Sequence, residues 1–208
     1  KLSKLAHAKG ATVVVDNTFY SPIYQRPIEE GADIVLHSAT KYLAGHNDVL
    51  AGVVVTDNAD LYEKLFYNLN TTGAVLSPFD SYQLIRGLKT LSLRMERSTA
   101  NAQEIVAFLE QSPAVKEVLY TGRGGMISFK VADEKRIPHI LNTLKVFSFA
   151  ESLGGVESLI TYPTTQTHAD IPAEVRHSYG LTDDLLRLSI GIEDARDLIE
   201  DLRQALEG

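Results

Sequence analysis

The sequence of 208 residues contains no cysteine and no tryptophan, and it has only two methionines. The absence of cysteine excludes disulfide bonds and metal sites built on thiolates. No apolar run approaches the roughly 18 residues that a membrane-spanning helix needs. Basic residues are also in short supply, because 20 lysines and arginines face 27 aspartates and glutamates. The formal net charge of −7 argues against a general nucleic-acid or membrane binder, since phosphate groups would be repelled.

The remaining composition is that of an ordinary globular protein, with 44% hydrophobic and 23% charged residues. The length predicts one large domain or two small ones, with enough apolar material for a core. The first twelve residues lack the charged and then apolar pattern of a signal peptide. We therefore expect a cytoplasmic protein that acts on small molecules, with no nucleic-acid or membrane partner.

The pattern of residues 1–10 predicts that the chain begins inside a helix. Leu2, Leu5 and Ala8 recur at helical spacing, and Gly10 follows as a C-cap signal. The stretch has neither an initiator methionine nor an N-cap residue. We therefore expect the chain to be a fragment of a longer gene product.

Three β-branched runs in the first half predict buried strands, namely ATVVVDN, ADIVLHS and LAGVVVTDN. Helical and loop segments alternate with these runs. This alternation is typical of a parallel or mostly parallel sheet in an α/β fold. In such sheets, ligands bind beyond the carboxyl ends of the strands.

Two helical segments follow the third run. Residues 58–70 predict an amphipathic helix with Asn58 as its N-cap. Residues 79–111 predict one long helix or two consecutive ones, with apolar side chains along one face. Because a long helix suits a connection between domains, we predict a boundary near residue 95 and domains at 1–95 and 96–208.

The second half predicts a compact α+β domain. The runs VKEVLYT and GGMISFKV are expected to be strands joined by a glycine-rich turn at 122–125. A helix at 133–142, a strand at LLRLSIGIED and a final amphipathic helix complete the domain. The glycine-rich turn is not a phosphate loop, because the strand-loop-helix context and the Lys-Ser/Thr ending are missing.

Lys41 is the first residue that suggests chemistry. It follows a predicted buried strand within three residues, and small or hydroxyl residues surround it. A lysine that forms a Schiff base must be partly desolvated and held beside its electrophile. The alternative is a solvated lysine in a loop, which describes most lysines.

Asp16 ends the neighbouring predicted strand. It could simply cap a turn, but its position also places a carboxylate at the sheet edge where Lys41 is expected. Pyridoxal phosphate requires this pair, a lysine that binds the cofactor covalently and an aspartate at the pyridinium nitrogen. The hydroxyl groups of Ser38 and Thr40 are suited to its phosphate.

Residues 13–55 resemble the cofactor segment of the Cys/Met-metabolism family of pyridoxal-phosphate enzymes, through VVVDNTFY and LHSATKYLAGH among other motifs. The family includes cystathionine γ-synthase, cystathionine β-lyase, cystathionine γ-lyase and methionine γ-lyase. The resemblance continues through 84–102, 150–172 and 185–206, so it covers essentially the whole chain.

This resemblance implies a fold, a cofactor and an assembly. The fold would be part of the large α/β domain of aspartate aminotransferase-like transferases (fold type I), followed by a smaller C-terminal α+β domain. The cofactor would be pyridoxal 5′-phosphate. The intact family member would be a homotetramer that acts on small-molecule amino-acid substrates.

The resemblance also assigns cofactor roles to five residues near the first two strands. Lys41 would bind the cofactor covalently and then transfer protons as the catalytic residue. Asp16 would pair with the pyridinium nitrogen, and Thr18 would lie near the ring. Ser38 and Thr40 would hold the phosphate.

Three further residues are assigned to the substrate. Arg187 would clamp the α-carboxylate, because a fork of N–H donors matches a carboxylate bidentately. Ser152 would lie beside that carboxylate, and Glu151 resembles the acidic residue found there in γ-synthases and γ-lyases. His168 has no partner ligands at metal spacing, so we expect it to form structural hydrogen bonds and predict no metal; we expect His46 to order its loop.

Two features favour one reaction within the family. VLYTGRGGMISF lacks an insertion that many relatives carry, and GGVESLITYPTTQTHADIP follows the pattern of bacterial cystathionine γ-synthases. The expected reaction replaces the acyl group of an O-acylhomoserine by the thiol of cysteine and yields cystathionine for methionine biosynthesis. Elimination of the cystathionine β-lyase or γ-lyase type, which cleaves a C–S bond, is the alternative.

A full-length family member carries a further N-terminal stretch that contacts the cofactor ring and phosphate. That stretch does not occur in the 208 residues. A second hypothesis of another class is therefore a truncated, catalytically inactive domain that holds no cofactor.

Overall fold

The first three β-branched runs form one sheet in the computed structural model, which describes residues 1–208. β1 (Val14–Asp16) pairs with β2 (Ile34–Ser38) in parallel orientation, whereas β2 pairs with β3 (Gly52–Val55) in antiparallel orientation. The third strand therefore departs from a fully parallel sheet. A parallel return needs a crossover of a dozen or more residues, usually a helix, but the segment between β2 and β3 contains only the helical turn Ala39–Leu43.

The first half contains four α-helices, of which the two longer ones begin at side-chain caps. They are α1 (Leu2–His7), α2 (Ser21–Tyr24), α3 (Ala59–Thr72) and α4 (Pro78–Lys89), with a 3-10 turn at Pro27–Glu30. The predicted helix after Asn58 is confirmed, and the Asn58 side chain accepts a hydrogen bond from Leu61 N at 3.0 Å. Ser77 caps α4 by accepting from Asp80 N at 3.1 Å. Each cap satisfies a backbone N–H that has no partner within its own helix.

The predicted helical region 79–111 consists of two consecutive helices. α5 (Leu91–Leu109) follows α4 after a single non-helical residue, Thr90. The chain divides into two compact units, Lys1–Ser92 and Leu93–Gly208. The interpretation of these units as part of a cofactor-binding domain and a small C-terminal domain stays a prediction.

The second unit contains a five-stranded sheet. Its strands lie in the order β4 (Val115–Leu119), β5 (Met126–Val131), β8 (Leu185–Ser189), β7 (Leu159–Thr161) and β6 (Ser148–Phe149). Its other elements are a 3-10 turn (Glu134–Arg136), α6 (Ile137–Thr143), α7 (Ala173–Ser178) and α8 (Ala195–Glu207). The core combines apolar side chains of α5, α6 and α8 with the central strands, as shown by the fully buried Ile105, Phe129, Leu188 and Leu198. No helix of either unit is long and apolar enough to cross a membrane.

The glycine-rich turn at 122–125 joins β4 to β5, which pair in antiparallel orientation. Gly122 and Gly124 have φ angles of 85° and 78°, a left-handed conformation that favours glycine. The Tyr120 hydroxyl donates to the Gly124 carbonyl oxygen at 2.9 Å and ties the turn together. The predicted hairpin turn is confirmed.

Candidate functional site

The carboxyl ends of β1 and β2 bring three predicted site residues together. In the parallel register Asp16 lies opposite Leu36, and Ser38 is two residues further along β2. Because side chains alternate along a strand, Asp16 and Ser38 point to the same face of the sheet. Ser38 N donates to Thr18 Oγ1 at 2.7 Å, and Thr18 N donates to Asp16 Oδ1 at 3.0 Å. These bonds hold the Asp16 carboxylate, which is exposed, beside the end of β2.

Lys41 lies in the turn that follows β2. Its backbone angles, φ −92° and ψ −129°, depart from helical values inside the short π-helical segment Ala39–Leu43. The Lys41 carbonyl oxygen accepts from Gly45 N at 2.8 Å, and this bond fixes the end of the turn that lies away from β2. The side chain is half-buried and forms no ion pair within the chain. An amine held this way at a strand end is suited to a covalent bond with a carbonyl compound.

The two hydroxyl residues around Lys41 differ in what they already contact. Thr40 Oγ1 accepts from Ala51 N at 3.0 Å and lies 3.3 Å from the Ala51 carbonyl oxygen. Thr40 N also donates to that carbonyl oxygen, at 3.2 Å. The Ser38 hydroxyl makes no hydrogen bond within the chain. Thr40 therefore fixes the turn to the segment before β3, whereas Ser38 has a hydroxyl available for a ligand; the phosphate roles of both stay predictions.

Gly87 is a residue of this site that sequence reasoning missed. It lies in α4 against Ala44, and a Cβ atom on Gly87 would fall 2.3 Å from the Ala44 carbonyl oxygen and 2.9 Å from its Cα. Real Cβ atoms essentially never approach backbone so closely. The sequence signal was a glycine inside a helical pattern, which costs about 1 kcal/mol relative to alanine and so calls for a packing reason. Here the reason is close contact with the Lys41 turn.

His37 is a second residue that sequence reasoning missed. It is buried, and it alternates with Ser38 on β2, so its ring lies on the opposite face of the sheet. Burial lowers the pKa of the His37 imidazole, and the Asn17 backbone and the Asp16 carboxylate partly oppose that shift. The His37 ring therefore packs on the face of the sheet opposite to the Ser38 side chain.

The predicted substrate residues lie in the second unit, around the middle of β8. Arg187 lies opposite Ser128 of β5 on one side and Thr161 of β7 on the other. Arg187 Nη2 donates to the Glu151 carbonyl oxygen at 3.1 Å and to Thr161 Oγ1 at 3.2 Å. Arg187 Nε is buried without a hydrogen-bond partner. The structure thus brings Arg187 and the backbone of Glu151 together.

The Arg187 guanidinium is a desolvated cation. Burial lowers its pKa, and the charge of Glu151 only partly opposes that shift. No carboxylate of the chain forms an ion pair with it. Because a buried charge is costly unless it is paired, an anionic ligand would supply what this arginine lacks.

The loop at 150–158, which contains the predicted Ser152, is held by side chains from the end of β8 and beyond. Gly154 N donates to Ser189 Oγ at 2.8 Å. Ser158 donates to the Glu193 carboxylate twice, through its N at 2.6 Å and its hydroxyl at 2.9 Å. Sequence reasoning missed these partners, because they are far apart in the chain. The loop is consequently held in place by side chains of this chain itself.

The two histidines that we expected to be structural have local partners. His46 Nδ1 lies 2.8 Å from the Ala44 carbonyl oxygen, in agreement with a loop-ordering role. His168 Nδ1 lies 2.7 Å from Thr167 Oγ1. Both contacts are within two residues along the chain, which is typical of loop hydrogen bonds rather than of a catalytic arrangement.

The fold and its solved neighbours define the class of protein. The chain has the fold of part of a fold type I pyridoxal-phosphate-dependent enzyme, with an α+β unit at its C-terminal end. A family model described as "Cys/Met metabolism PLP-dependent enzyme" matches residues 1–207. The chain belongs to this family, whose members use pyridoxal phosphate.

Characterised relatives span several activities. The cystathionine gamma-synthase/O-acetylhomoserine (thiol)-lyase of Bacillus subtilis (strain 168) is 57% identical over 205 residues, which are 99% of this chain and 55% of that protein. The cystathionine gamma-synthase of Haemophilus influenzae (strain ATCC 51907 / DSM 11121 / KW20 / Rd) is 52% identical, over 99% of this chain and 56% of that protein. A cystathionine gamma-lyase of Bacillus subtilis is 50% identical, over 99% and 59%. The chain thus spans between 55% and 59% of the length of these relatives.

Solved structures of both a lyase and a synthase superpose closely on this chain. The cystathione gamma lyase CalE6 of Micromonospora echinospora superposes with a TM-score of 0.97 at 41% identity, over 100% of this chain and 59% of that one. The cystathionine gamma synthase of Xanthomonas oryzae pv. oryzae, solved with aminoacrylate and cysteine, superposes with a TM-score of 0.94 at 44% identity, over 98% and 57%. Synthases and lyases of this family therefore share the fold of this chain.

Proposed function

We propose that the full-length protein containing this chain catalyses a pyridoxal-phosphate-dependent γ-replacement. The thiol of cysteine would replace the acyl group of an O-acylhomoserine and give cystathionine. The observation that carries the proposal is the placement of Lys41, without an ion pair, directly beyond the strand that neighbours the Asp16 carboxylate. The two γ-synthases at 57% and 52% identity support the choice of reaction.

The residues of the first unit fit the cofactor chemically. Lys41 Nζ is the amine for its aldehyde carbon, Asp16 the anion for its ring nitrogen, and the Ser38 hydroxyl a free donor for its phosphate. Thr18 would lie near the ring, and Thr40 would hold the turn next to the phosphate. Bound pyridoxal phosphate would supply an electron sink for the reacting amino acid. Lys41 Nζ would take and return protons at the substrate carbons.

The residues of the second unit fit the substrate. Arg187 would bind the α-carboxylate with its guanidinium, whose Nη1 has no acceptor in the chain, and Ser152 would lie beside that carboxylate. Glu151, whose side chain is exposed, would place a carboxylate at the edge of the same site.

The lengths of the alignments with relatives support the synthase reaction over the lyase reaction. The two γ-synthases align over 205 residues, almost the length of this chain. The β-lyases of Lactococcus lactis, 49% identical, align over 223 residues. That length exceeds the 208 residues of this chain, so the lyases carry additional residues. The compact hairpin of β4 and β5 agrees with the synthase pattern. Elimination by a β-lyase or γ-lyase route remains the second candidate, because γ-lyases and β-lyases are 45% to 50% identical.

Product analysis tests the proposal. The full-length protein should form cystathionine from O-acetylhomoserine plus cysteine faster than it cleaves cystathionine alone. The reverse order would establish the lyase alternative. Lys41→Ala should abolish both reactions, and near-normal turnover by that variant would refute the catalytic role.

Reduction with borohydride tests the cofactor separately. The protein should show a visible absorbance band that borohydride abolishes, and the reduced cofactor should then be found covalently attached to Lys41. A colourless protein that added cofactor does not change would support the inactive, truncated domain. We also propose a cytoplasmic homotetramer, which light scattering of the full-length protein would test.

A further inference from the structure

We propose that Thr161 is a positioning residue that orients Arg187 for the carboxylate of the amino-acid substrate. Thr161 lies in β7 directly opposite Arg187 of β8, and it is 1% exposed. The inference rests on the proposed function, because that function makes Arg187 the carboxylate clamp. It adds a residue to which neither the sequence nor the family resemblance assigned a role.

The direction of the hydrogen bonds shows what Thr161 does. Its hydroxyl has one proton, and it donates that proton to the Ala150 carbonyl oxygen at 2.7 Å. The hydroxyl oxygen is then an acceptor towards Arg187 Nη2, at 3.2 Å. A guanidinium has only donors, so this polarity is the one that suits Arg187.

The second acceptor for Arg187 is held by the same strand. Arg187 Nη2 also donates to the carbonyl oxygen of Glu151, at 3.1 Å. Its neighbour Ala150 is fixed through its own N–H, which donates to the Ile160 carbonyl oxygen at 3.0 Å. Thr161 therefore fixes Arg187 directly. Through its bond to Ala150, Thr161 also positions the neighbouring Glu151 carbonyl oxygen, which is the second acceptor for Arg187.

The consequence is a guanidinium whose Nη2 is held within the chain while Nη1 makes no hydrogen bond there. Nη2 has two acceptors in the chain, whereas Nε and Nη1 have none. Arginine is a flexible side chain, and ordering it in advance lowers the entropic cost of binding a carboxylate. Loss of the Thr161 hydroxyl should therefore weaken substrate binding more than it slows the chemical step.

The test compares Thr161→Val, Thr161→Ala and Thr161→Ser in the full-length holoenzyme. Valine keeps the shape and removes the acceptor, so the KM for O-acetylhomoserine should rise about tenfold with kcat changed less than about threefold. Serine keeps the hydroxyl and should restore the wild-type KM. The preference for O-acetylhomoserine over its α-carboxamide should also fall in the valine variant. If valine prevents folding, alanine provides the same comparison with less branching at Cβ.

Ser98→Ala is the matched control. Ser98 is also a buried hydroxyl of the second unit, and it donates to the Ile190 carbonyl oxygen at 2.6 Å without contacting Arg187. Its loss should lower the melting temperature and leave KM unchanged. A KM for Thr161→Val equal to that of Ser98→Ala would overturn the proposal.

Arg187→Lys separates this proposal from the proposed function. A raised KM in Arg187→Lys together with a normal KM in Thr161→Val refutes only the role of Thr161. An unchanged KM in Arg187→Lys refutes the carboxylate clamp itself, and the role of Thr161 with it. The expected result is a raised KM in both Arg187→Lys and Thr161→Val, together with a wild-type KM in Thr161→Ser.

Discussion

Gly87 of α4 and Ala44, three residues after Lys41, are in direct backbone contact: a Cβ atom on Gly87 would lie 2.3 Å from the Ala44 carbonyl oxygen. The helix therefore approaches the Lys41 turn more closely than any side chain would permit. Thr40, bonded to Ala51, holds the turn from another direction. The turn that carries Lys41 is thus fixed by close packing against Gly87 and by the hydrogen bonds of Thr40.

Gly87→Ala tests this packing, because two effects predict opposite signs. Helix propensity alone would stabilise the protein by about 1 kcal/mol. Overpacking against a backbone costs about 1–3 kcal/mol, so we expect a net loss in the free energy of unfolding. We also expect less covalent cofactor on Lys41, measured by borohydride trapping in the full-length protein. Lys89→Ala, an exposed change in the same helix, is the control, and a more stable Gly87→Ala protein would contradict the close contact.

The sequence was most informative where a pattern is local. The strands β1 and β2 and the cap at Asn58 are confirmed, because strand composition and capping depend on neighbouring residues. The expected burial of β1 is wrong, since Val14 is 51% exposed. Lys41 and Asp16 could be chosen as candidates for the same reason, since Asp16 ends one apolar run and Lys41 lies three residues beyond the next strand, and their roles stay predictions. The family motifs then gave the pair a role that spacing alone did not establish.

The features that could not be predicted depend on segments far apart in the chain. Gly87 meets Ala44 only after α4 has packed. Thr161 reads as an ordinary strand residue until β7 pairs with β8 and places it opposite Arg187. The antiparallel direction of β3 likewise depends on a connection without a crossover helix, which the hydrophobic pattern does not reveal.

Ser38 and Thr40 should respond differently to loss of their hydroxyl groups. The Ser38 hydroxyl has no partner in the chain, so Ser38→Ala should weaken pyridoxal-phosphate affinity about tenfold, with little change in melting temperature. Thr40 Oγ1 is bonded to the Ala51 backbone, so Thr40→Val should lower the melting temperature of the cofactor-free protein. Cofactor titration and thermal denaturation measure the two effects. Equal losses of melting temperature in Ser38→Ala and Thr40→Val would refute the distinction between a ligand-binding hydroxyl and a structural one.

Asp201 is expected to be the most sensitive acidic residue of the second unit. It is 5% exposed, and its carboxylate accepts from the backbone N–H groups of Lys145 and Val146 at 2.8 Å and of Phe147 at 3.0 Å. Asp201→Ala would leave these donors without an acceptor, at a cost of about 2–4 kcal/mol in the free energy of unfolding. Urea denaturation measures the loss. Glu200→Ala, at an exposed position of the same helix, should cost less than about 0.5 kcal/mol, and similar values for the two variants would rule out the anchoring role.

Asp194 should make the stability of α8 depend on pH. Its side chain caps the helix through Arg196 N at 2.9 Å and pairs with the Arg196 guanidinium at 3.0 Å. Chiefly through the hydrogen bond from that guanidinium, the pKa of Asp194 is lowered from 3.8 to about 2. A carboxyl group with a lowered pKa in the folded state stabilises the fold above its unfolded pKa, and that contribution is lost as the pH falls through the folded pKa.

Asp194→Ala should therefore lower the melting temperature at pH 7, and the difference from the wild type should narrow as the pH falls from about 4 to about 2. The size of the effect should be modest, because the pair is fully exposed and screened by solvent. Asp194→Asn is the matched control, since asparagine keeps a capping oxygen but does not titrate. Its difference from Asp194→Ala should stay constant over the same pH range. A wild-type advantage over Asp194→Ala that is equally large at pH 7 and pH 2 would show that the cap, and not the charge of Asp194, stabilises the start of α8.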